Sequence, residues 1–139
     1  MPVSFRILPS RGLVYVRYEG YAVLEDTFGV FAEYMGHPDF RPGQKQLVDL
    51  SAIDGFERNF AKLFEMQSMK ADAFLSDESQ TLIVYYAPGE EAQRMCQLIA
   101  RSWEHVPSVV ALVQQNETEA LALLGQAESS IAELLEVTA

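Results

Sequence analysis

The chain has 139 residues, of which 49% are hydrophobic and 22% charged, values that fit one globular domain with a single core. Its formal net charge is −10, and residues 71–139 carry only 2 basic against 11 acidic side chains. A surface without a basic stripe does not displace counterions from phosphates, so binding to nucleic acid or to an anionic membrane is not expected.

Cysteine usage and hydropathy indicate the compartment. Cys96 is the only cysteine, which excludes an intrachain disulfide and favours a reducing environment. The first residues lack the long apolar core of a secretory signal, and no segment approaches the ~20 apolar residues of a membrane span. We therefore expect a cytoplasmic protein without a membrane span.

The chain is predicted to begin with an antiparallel hairpin. Residues 3–8 and 13–19 are rich in β-branched and aromatic side chains, and the second segment alternates between two faces. Pro9 and Gly12 suit the turn between them, because proline fixes φ and glycine accepts a positive φ. Gly20 is expected to end the second strand.

Helices and strands are then predicted to alternate. Leu24, Phe28, Phe31 and Met35 recur at helical spacing. A strand at 46–50 is followed by a helix from about Glu57 to Leu75 and a polar break at 76–79. A strand at 81–87 comes next, then a helix whose buried face includes Met95, Ile99 and Trp103. The last predicted strand is at 109–113. An N-cap at Asn116, with Glu119 three residues on, begins another helix, and a short helical segment follows Gly125.

Two segments resemble a known family. Val48-Asp49-Leu50-Ser51 and the loop 37–43 before this strand are similar to parts of the STAS family, the SpoIIAA-like anti-sigma-factor antagonists. The order of the predicted elements resembles the same family. The resemblance implies an α/β fold over residues 1–139: a single-domain SpoIIAA-like β-α superhelix with a mostly parallel five-stranded sheet and an N-terminal antiparallel hairpin. It also implies a bacterial regulatory or binding module without enzymatic activity.

The resemblance also locates a candidate binding surface. The family has a phosphorylatable serine at the start of the next helix, where this chain has Arg58 and Asn59, so the usual phosphoswitch is expected to be missing. Ser51, Asp54 and Glu57 precede that position, near the strand ends where open α/β sheets place their functional crevice. We expect these five residues to form an exposed charged patch that contacts a protein partner, with Arg58 as its anchor.

No catalytic or metal-binding pattern is present in the sequence. No nucleophile, base and acid have the arrangement of a catalytic triad, and the chain has no metal-ligand or phosphate-loop motif. Cys96 lies on an apolar helical stripe and is expected in the core, whereas His105 is expected near a helix C-terminus. No enzymatic activity, cofactor or metal is therefore predicted.

An alternative function is a carrier or sensor of a small apolar or lipid-like ligand, because the Sec14-like fold has a similar β-α winding and an apolar pocket. If helices cover only one sheet face, Tyr15 and Tyr85 form an amphipathic surface on the other. Methionines 35, 66, 69 and 95 are expected to fill gaps in the core. Whether the chain forms a homodimer, and which partner or ligand it binds, stay open.

Overall fold

The computed structural model describes residues 2–74, 80–104 and 106–138, with the backbone alone at 60 and 71–74. Within these residues the chain forms five strands in one sheet and five helices, which confirms the predicted α/β class. The strands are β1 (Val3–Leu8), β2 (Leu13–Ala22), β3 (Lys45–Phe56), β4 (Thr81–Tyr86) and β5 (Val109–Gln114). The helices are α1 (Leu24–Met35), α2 (Phe60–Phe74), α3 (Glu90–Trp103), α4 (Glu117–Leu123) and α5 (Ile131–Val137).

The strands lie in the sheet in the same order as in the chain. β1 and β2 are antiparallel, and every later neighbouring pair is parallel, so each later connection is a crossover that contains a helix. Right-handed crossovers that all advance in one direction place their helices on one face of the sheet. Accordingly, α1, α2 and α3 pack together over the same side.

The predicted N-terminal hairpin is confirmed. Val3 pairs with Tyr18, and Leu8 pairs with Leu13 at the closed end. A turn of 3₁₀-helix at Pro9–Arg11 joins the strands, and Gly12 follows it with φ of 58°. That left-handed conformation is readily adopted by glycine because it has no Cβ atom.

The second face of the sheet is covered by α4 and α5. Leu121, Leu124 and Leu134 are fully buried there against Leu47 and Val84. The expected amphipathic tyrosine surface is therefore wrong. Tyr15 is buried beneath α4 and α5, whereas Tyr85 is buried on the opposite side of the sheet beneath α1, α2 and α3.

The paired strands β2 and β3 are longer than predicted. Gly20 does not end β2, because its φ of 69° is accommodated at a register irregularity, and pairing with β3 continues to Ala22. Gly55 allows this extension, since a Cβ atom at that position would lie 2.9 Å from Cδ2 of Tyr21. The result is a two-stranded extension that lengthens β3 to Phe56.

Helix packing follows the predicted pattern only in part. Trp103 and Cys96 are buried on α3 as predicted, with Met95 partly buried beside them. The buried side of α1 is rotated from the predicted stripe, because Thr27, Val30 and Tyr34 take its inner positions. Met66 is buried, but Met35 and Met69 are 41% and 53% exposed, so these two do not fill the core.

Three predictions concern residues that the structure does not describe. The polar break at 76–79, the end of the second predicted helix at Leu75 and the position of His105 all lie outside the described residues. The strand that follows the break begins at Thr81, as predicted.

Candidate functional site

The predicted surface patch is not a single loop at a helix start. Ser51 and Asp54 lie within β3, because that strand continues six residues beyond its predicted end at Leu50. Both residues are exposed, as are Arg58 and Asn59 in the connection to α2. The predicted helix start at Glu57 is also wrong, since α2 begins at Phe60.

Glu57 stabilises a different helix from the one expected. Its Oε1 accepts a hydrogen bond of 3.1 Å from the backbone N–H of Leu24, the first residue of α1. A carboxylate at a helix N-terminus satisfies a free backbone donor and complements the helix dipole. Its other oxygen lies 3.8 Å from Nζ of Lys62 on α2. Glu57 therefore ties the β3 end to α1 and α2 and is not free for a partner.

Arg58 and Asn59 also have local contacts. Oδ1 of Asn59 accepts a hydrogen bond of 3.1 Å from the backbone N–H of Lys62, which is N-cap geometry for α2. The guanidinium of Arg58 lies 4.8 Å from the ring centre of Phe56, a cation–π contact on the surface. Arg58 is therefore exposed, and its contact with the Phe56 ring holds the guanidinium in a defined position.

A buried carboxylate lies on the α4 and α5 side of β3. Oδ2 of Asp49 accepts a 2.5 Å hydrogen bond from the Tyr15 hydroxyl, and Oδ1 accepts from the backbone N–H and the hydroxyl of Ser51 at 2.9 and 2.6 Å. Arg17 lies 3.5 Å from Oδ2. Since both carboxylate oxygens have donors, Asp49 joins β2 to β3 and keeps Ser51 in place.

The main cavity lies on the opposite side of the sheet, under α1, α2 and α3. Its volume is about 70 Å³, several times the ~10–15 Å³ that one water molecule needs. The strands supply an aliphatic floor that includes Val14, Val16, Val48 and Ile83. The helices supply an apolar roof that includes Val30, Phe31, Leu63, Met66 and Ile99.

Most hydroxyl groups around the cavity already have partners. The Tyr18 and Thr27 hydroxyls are 2.9 Å apart, and the Tyr34 hydroxyl donates to Oε1 of Gln44 at 2.6 Å. The Tyr85 hydroxyl accepts from Nε1 of Trp103 at 3.0 Å. Burial raises the pKa of Tyr18, Tyr34 and Tyr85, so these hydroxyls stay neutral at physiological pH.

Gln67 on α2 brings an unsatisfied acceptor to the cavity. Its Nε2 donates to the Ser102 hydroxyl at 2.9 Å, and that hydroxyl donates its one proton to the carbonyl oxygen of Ile99. The amide orientation is therefore determined, because Ser102 must accept from Gln67. Oε1 of Gln67 is buried without a hydrogen-bond partner in the described part of the chain, which costs about 1–3 kcal/mol.

Lys70 lies one helical turn after Gln67 and also lines the cavity. Burial lowers the pKa of its ammonium group to about 8. A second cavity, between α1 and α2, shares Phe31, Met66 and Lys70 with the first, and the exposed side chains of Met35 and Met69 form part of its wall. Lys70 therefore stands at the boundary between an inner apolar cavity and an outer apolar groove.

The sequence interpretation missed Gln67 and Lys70, although a signal was available. Leu63, Gln67 and Lys70 are four and then three residues apart, so the two polar side chains continue an apolar helical stripe. A polar residue at a core-facing position needs a partner or a function. The spacing alone did not distinguish these two cases.

Comparison of the chain with protein-family models, with curated proteins and with solved structures found no match. Among the described residues, no helix combines the length and the hydropathy that crossing a bilayer requires. The cavity, with its apolar walls and few polar groups, is therefore the structural basis for a functional assignment.

Proposed function

We propose that this protein is a non-enzymatic binding protein that takes a small apolar ligand into the cavity between the sheet and α1, α2 and α3. The observation that carries the proposal is a predominantly apolar cavity of about 70 Å³ between the sheet and three helices. Its position beneath three crossover helices supports the carrier or sensor that the β-α winding favoured as an alternative function. In a sensor, the ligand-bound state is the signal. In a carrier, the ligand is the cargo.

Packing energetics support a ligand in this position. Protein interiors are normally close-packed, and a void deprives the surrounding side chains of dispersion contacts. An apolar ligand restores those contacts and removes its own surface from water, at roughly 25 cal/mol per Å². Since the aliphatic side chains of Val14, Val48 and Ile83 line the floor, a ligand there covers no polar group of the strands at these positions.

A cavity-filling variant tests this proposal. Val16 is partly exposed and lines the cavity, so Val16→Phe places a ring in the space that a ligand needs. We expect the variant to weaken binding of the neutral fluorescent probe N-phenyl-1-naphthylamine by about tenfold or more. Val137→Phe is the matched control, because Val137 is 58% exposed on α5.

The probe titration is read as enhanced emission, with thermal melting to confirm that both variants fold. The control is expected to bind within about twofold of the wild type, since an exposed substitution away from the site leaves the cavity unchanged. Equal affinities of the wild type and Val16→Phe, or equal losses in both variants, would contradict binding in this cavity.

A second candidate function is protein binding at the β3 extension. Among the described residues, β4 pairs with β3 only at 46–49, so residues 50–56 pair with β2 alone. Ser51 and Asp54 are exposed along this extension, and Arg58 is exposed just after it, in the connection to α2. This observation supports the predicted protein-partner surface, with Arg58 as the group that pairs a partner carboxylate.

Substitution of Arg58 separates this role from folding. We expect Arg58→Ala to weaken capture of an identified protein partner while lowering the free energy of unfolding by no more than about 1 kcal/mol, the scale of an exposed cation–π contact. Arg101→Ala is the control, because Arg101 is an exposed arginine on α3. Unchanged partner affinity measured by calorimetry would show that Arg58 only packs on Phe56.

A further inference from the structure

Lys70 occupies an unusual electrostatic position. Its side chain is half-buried, and Nζ lies 5.8 Å from the ring centre of Phe31. Burial alone lowers its pKa to about 8, so the group is still mainly protonated at pH 7. A desolvated ammonium is costly unless an anion or several acceptors surround it.

The described residues around Lys70 do not supply that anion. α1 faces it with Phe28, Phe31, Ala32 and Met35, and among the described residues that line the two cavities there is no aspartate or glutamate. The described titratable groups that line the cavity from the strands and from α1 are Tyr18, Tyr85 and Tyr34, whose hydroxyls burial keeps neutral. The chain has 20 acidic residues, but none of those whose side chains the structure describes forms an ion pair with Lys70.

Gln67 adds an independent observation. Its Oε1 is a buried acceptor with no partner, and the Ser102 hydrogen bonds prevent the amide from turning to hide it. Gln67 and Lys70 are three residues apart on α2, so their side chains share one face. The same face therefore offers one cationic donor and one neutral acceptor to whatever enters the cavity.

We propose that the cavity binds an amphipathic molecule that has an apolar body and one anionic head group. This inference rests on the proposed function and specifies its ligand class. The apolar body lies between the strand floor and α1, and the anion pairs with Lys70 at the boundary with the outer groove. Gln67 accepts a hydrogen bond from a hydroxyl or N–H group beside the anion. A carboxylate and a phosphate monoester share the required head-group chemistry.

A series of ten-carbon ligands tests the proposal by competition with N-phenyl-1-naphthylamine at pH 7. Decanoate and decyl phosphate carry the two anionic heads, and 1-decanol is the neutral reference. We expect the wild type to bind at least one anion about tenfold or more tightly than decanol, as a charge-assisted hydrogen bond permits. The preferred anion identifies the head group.

Lys70→Met is expected to abolish this preference while decanol still binds, because methionine keeps an apolar side chain of similar length. Lys62→Met is the matched control: it removes a lysine from the same helix at a position outside both cavity linings. The control should retain the preference for the anion.

The outcomes distinguish this inference from the proposed function. Decanol binding as tightly as both anions to the wild type, a preference that survives Lys70→Met, or equal losses in both lysine variants would overturn the anionic ligand but leave an apolar cavity. Failure of all three compounds and of the probe to bind would overturn the proposed function and this inference together.

Discussion

Replacing Trp103 with alanine is expected to lower the free energy of unfolding by about 3–5 kcal/mol, the range for deleting a buried aromatic side chain. Trp103 is 4% exposed, packs in the core cluster of α3 with Ile99, and donates a hydrogen bond to Tyr85. Its loss opens a void beside the cavity and leaves the Tyr85 hydroxyl without its donor. The effect therefore combines lost packing with one lost buried hydrogen bond.

Chemical denaturation followed by far-UV circular dichroism measures this change, since Trp103 is the only tryptophan and its fluorescence is lost in the variant. Trp103→Phe keeps a six-membered aromatic ring but removes the N–H donor and the rest of the indole, so we expect a smaller loss than in Trp103→Ala. A loss below about 1 kcal/mol in Trp103→Ala would show that this face of α3 does not pack as described.

The second large effect is expected at Asp49. Asp49→Ala removes the acceptor of the buried Tyr15 hydroxyl and of Ser51, and leaves Arg17 with Glu19 as its one remaining carboxylate partner among the described residues. We expect a loss of about 2–4 kcal/mol, because a buried donor left unsatisfied costs more than an exposed one. Thermal or urea unfolding of the variant provides the measurement.

Asp54→Ala is the matched control for Asp49→Ala. It removes the same side chain from the same strand, but from an exposed position, and should change stability by no more than about 0.5 kcal/mol. Adding Tyr15→Phe to Asp49→Ala should recover part of the loss, since the unsatisfied donor is then removed as well. Equal stabilities of the two aspartate variants would contradict a structural role for the Asp49 cluster.

Local periodicity was sufficient to predict the order of the elements. The alternation in β2 and the apolar stripe of α3 depend on neighbouring residues; α3 forms where it was expected, and β2 begins at Leu13 as expected. The N-cap at Asn116 was likewise predictable, because its acceptor and the N–H of Glu119 are three residues apart.

Interactions between distant parts of the chain were not predictable in this way. Glu57 caps α1 through Leu24, which is 33 residues away in the chain, so its sequence position beside α2 was misleading. β3 extends past Leu50 because β2 continues beside it through the irregularity near Gly20. These outcomes depend on tertiary pairing, which overrides local preference.

The cavity was the least predictable feature, because it depends on how three helices pack above the sheet. The sequence favoured an apolar ligand only through the winding of the fold, whereas the two polar groups assigned to a ligand, Gln67 and Lys70, come from α2. The sequence shows Gln67 and Lys70 as polar residues on an apolar helical stripe. Their positions along the chain do not reveal that Oε1 of Gln67 has no hydrogen-bond partner among the described residues, or that both side chains line a cavity.

Methyl NMR during ligand titration tests the central claim, binding inside the cavity, most directly. The two sheet faces provide an internal comparison, because Val14, Val48 and Ile83 line the cavity and Leu121 and Leu134 are buried on the other face. With 1-decanol as ligand, we predict saturable methyl shifts and intermolecular NOEs at the first three residues and unchanged shifts at the two leucines. Shifts confined to the leucines or to exposed methyl groups, or no saturable shifts at all, would contradict a ligand site between the sheet and α1, α2 and α3.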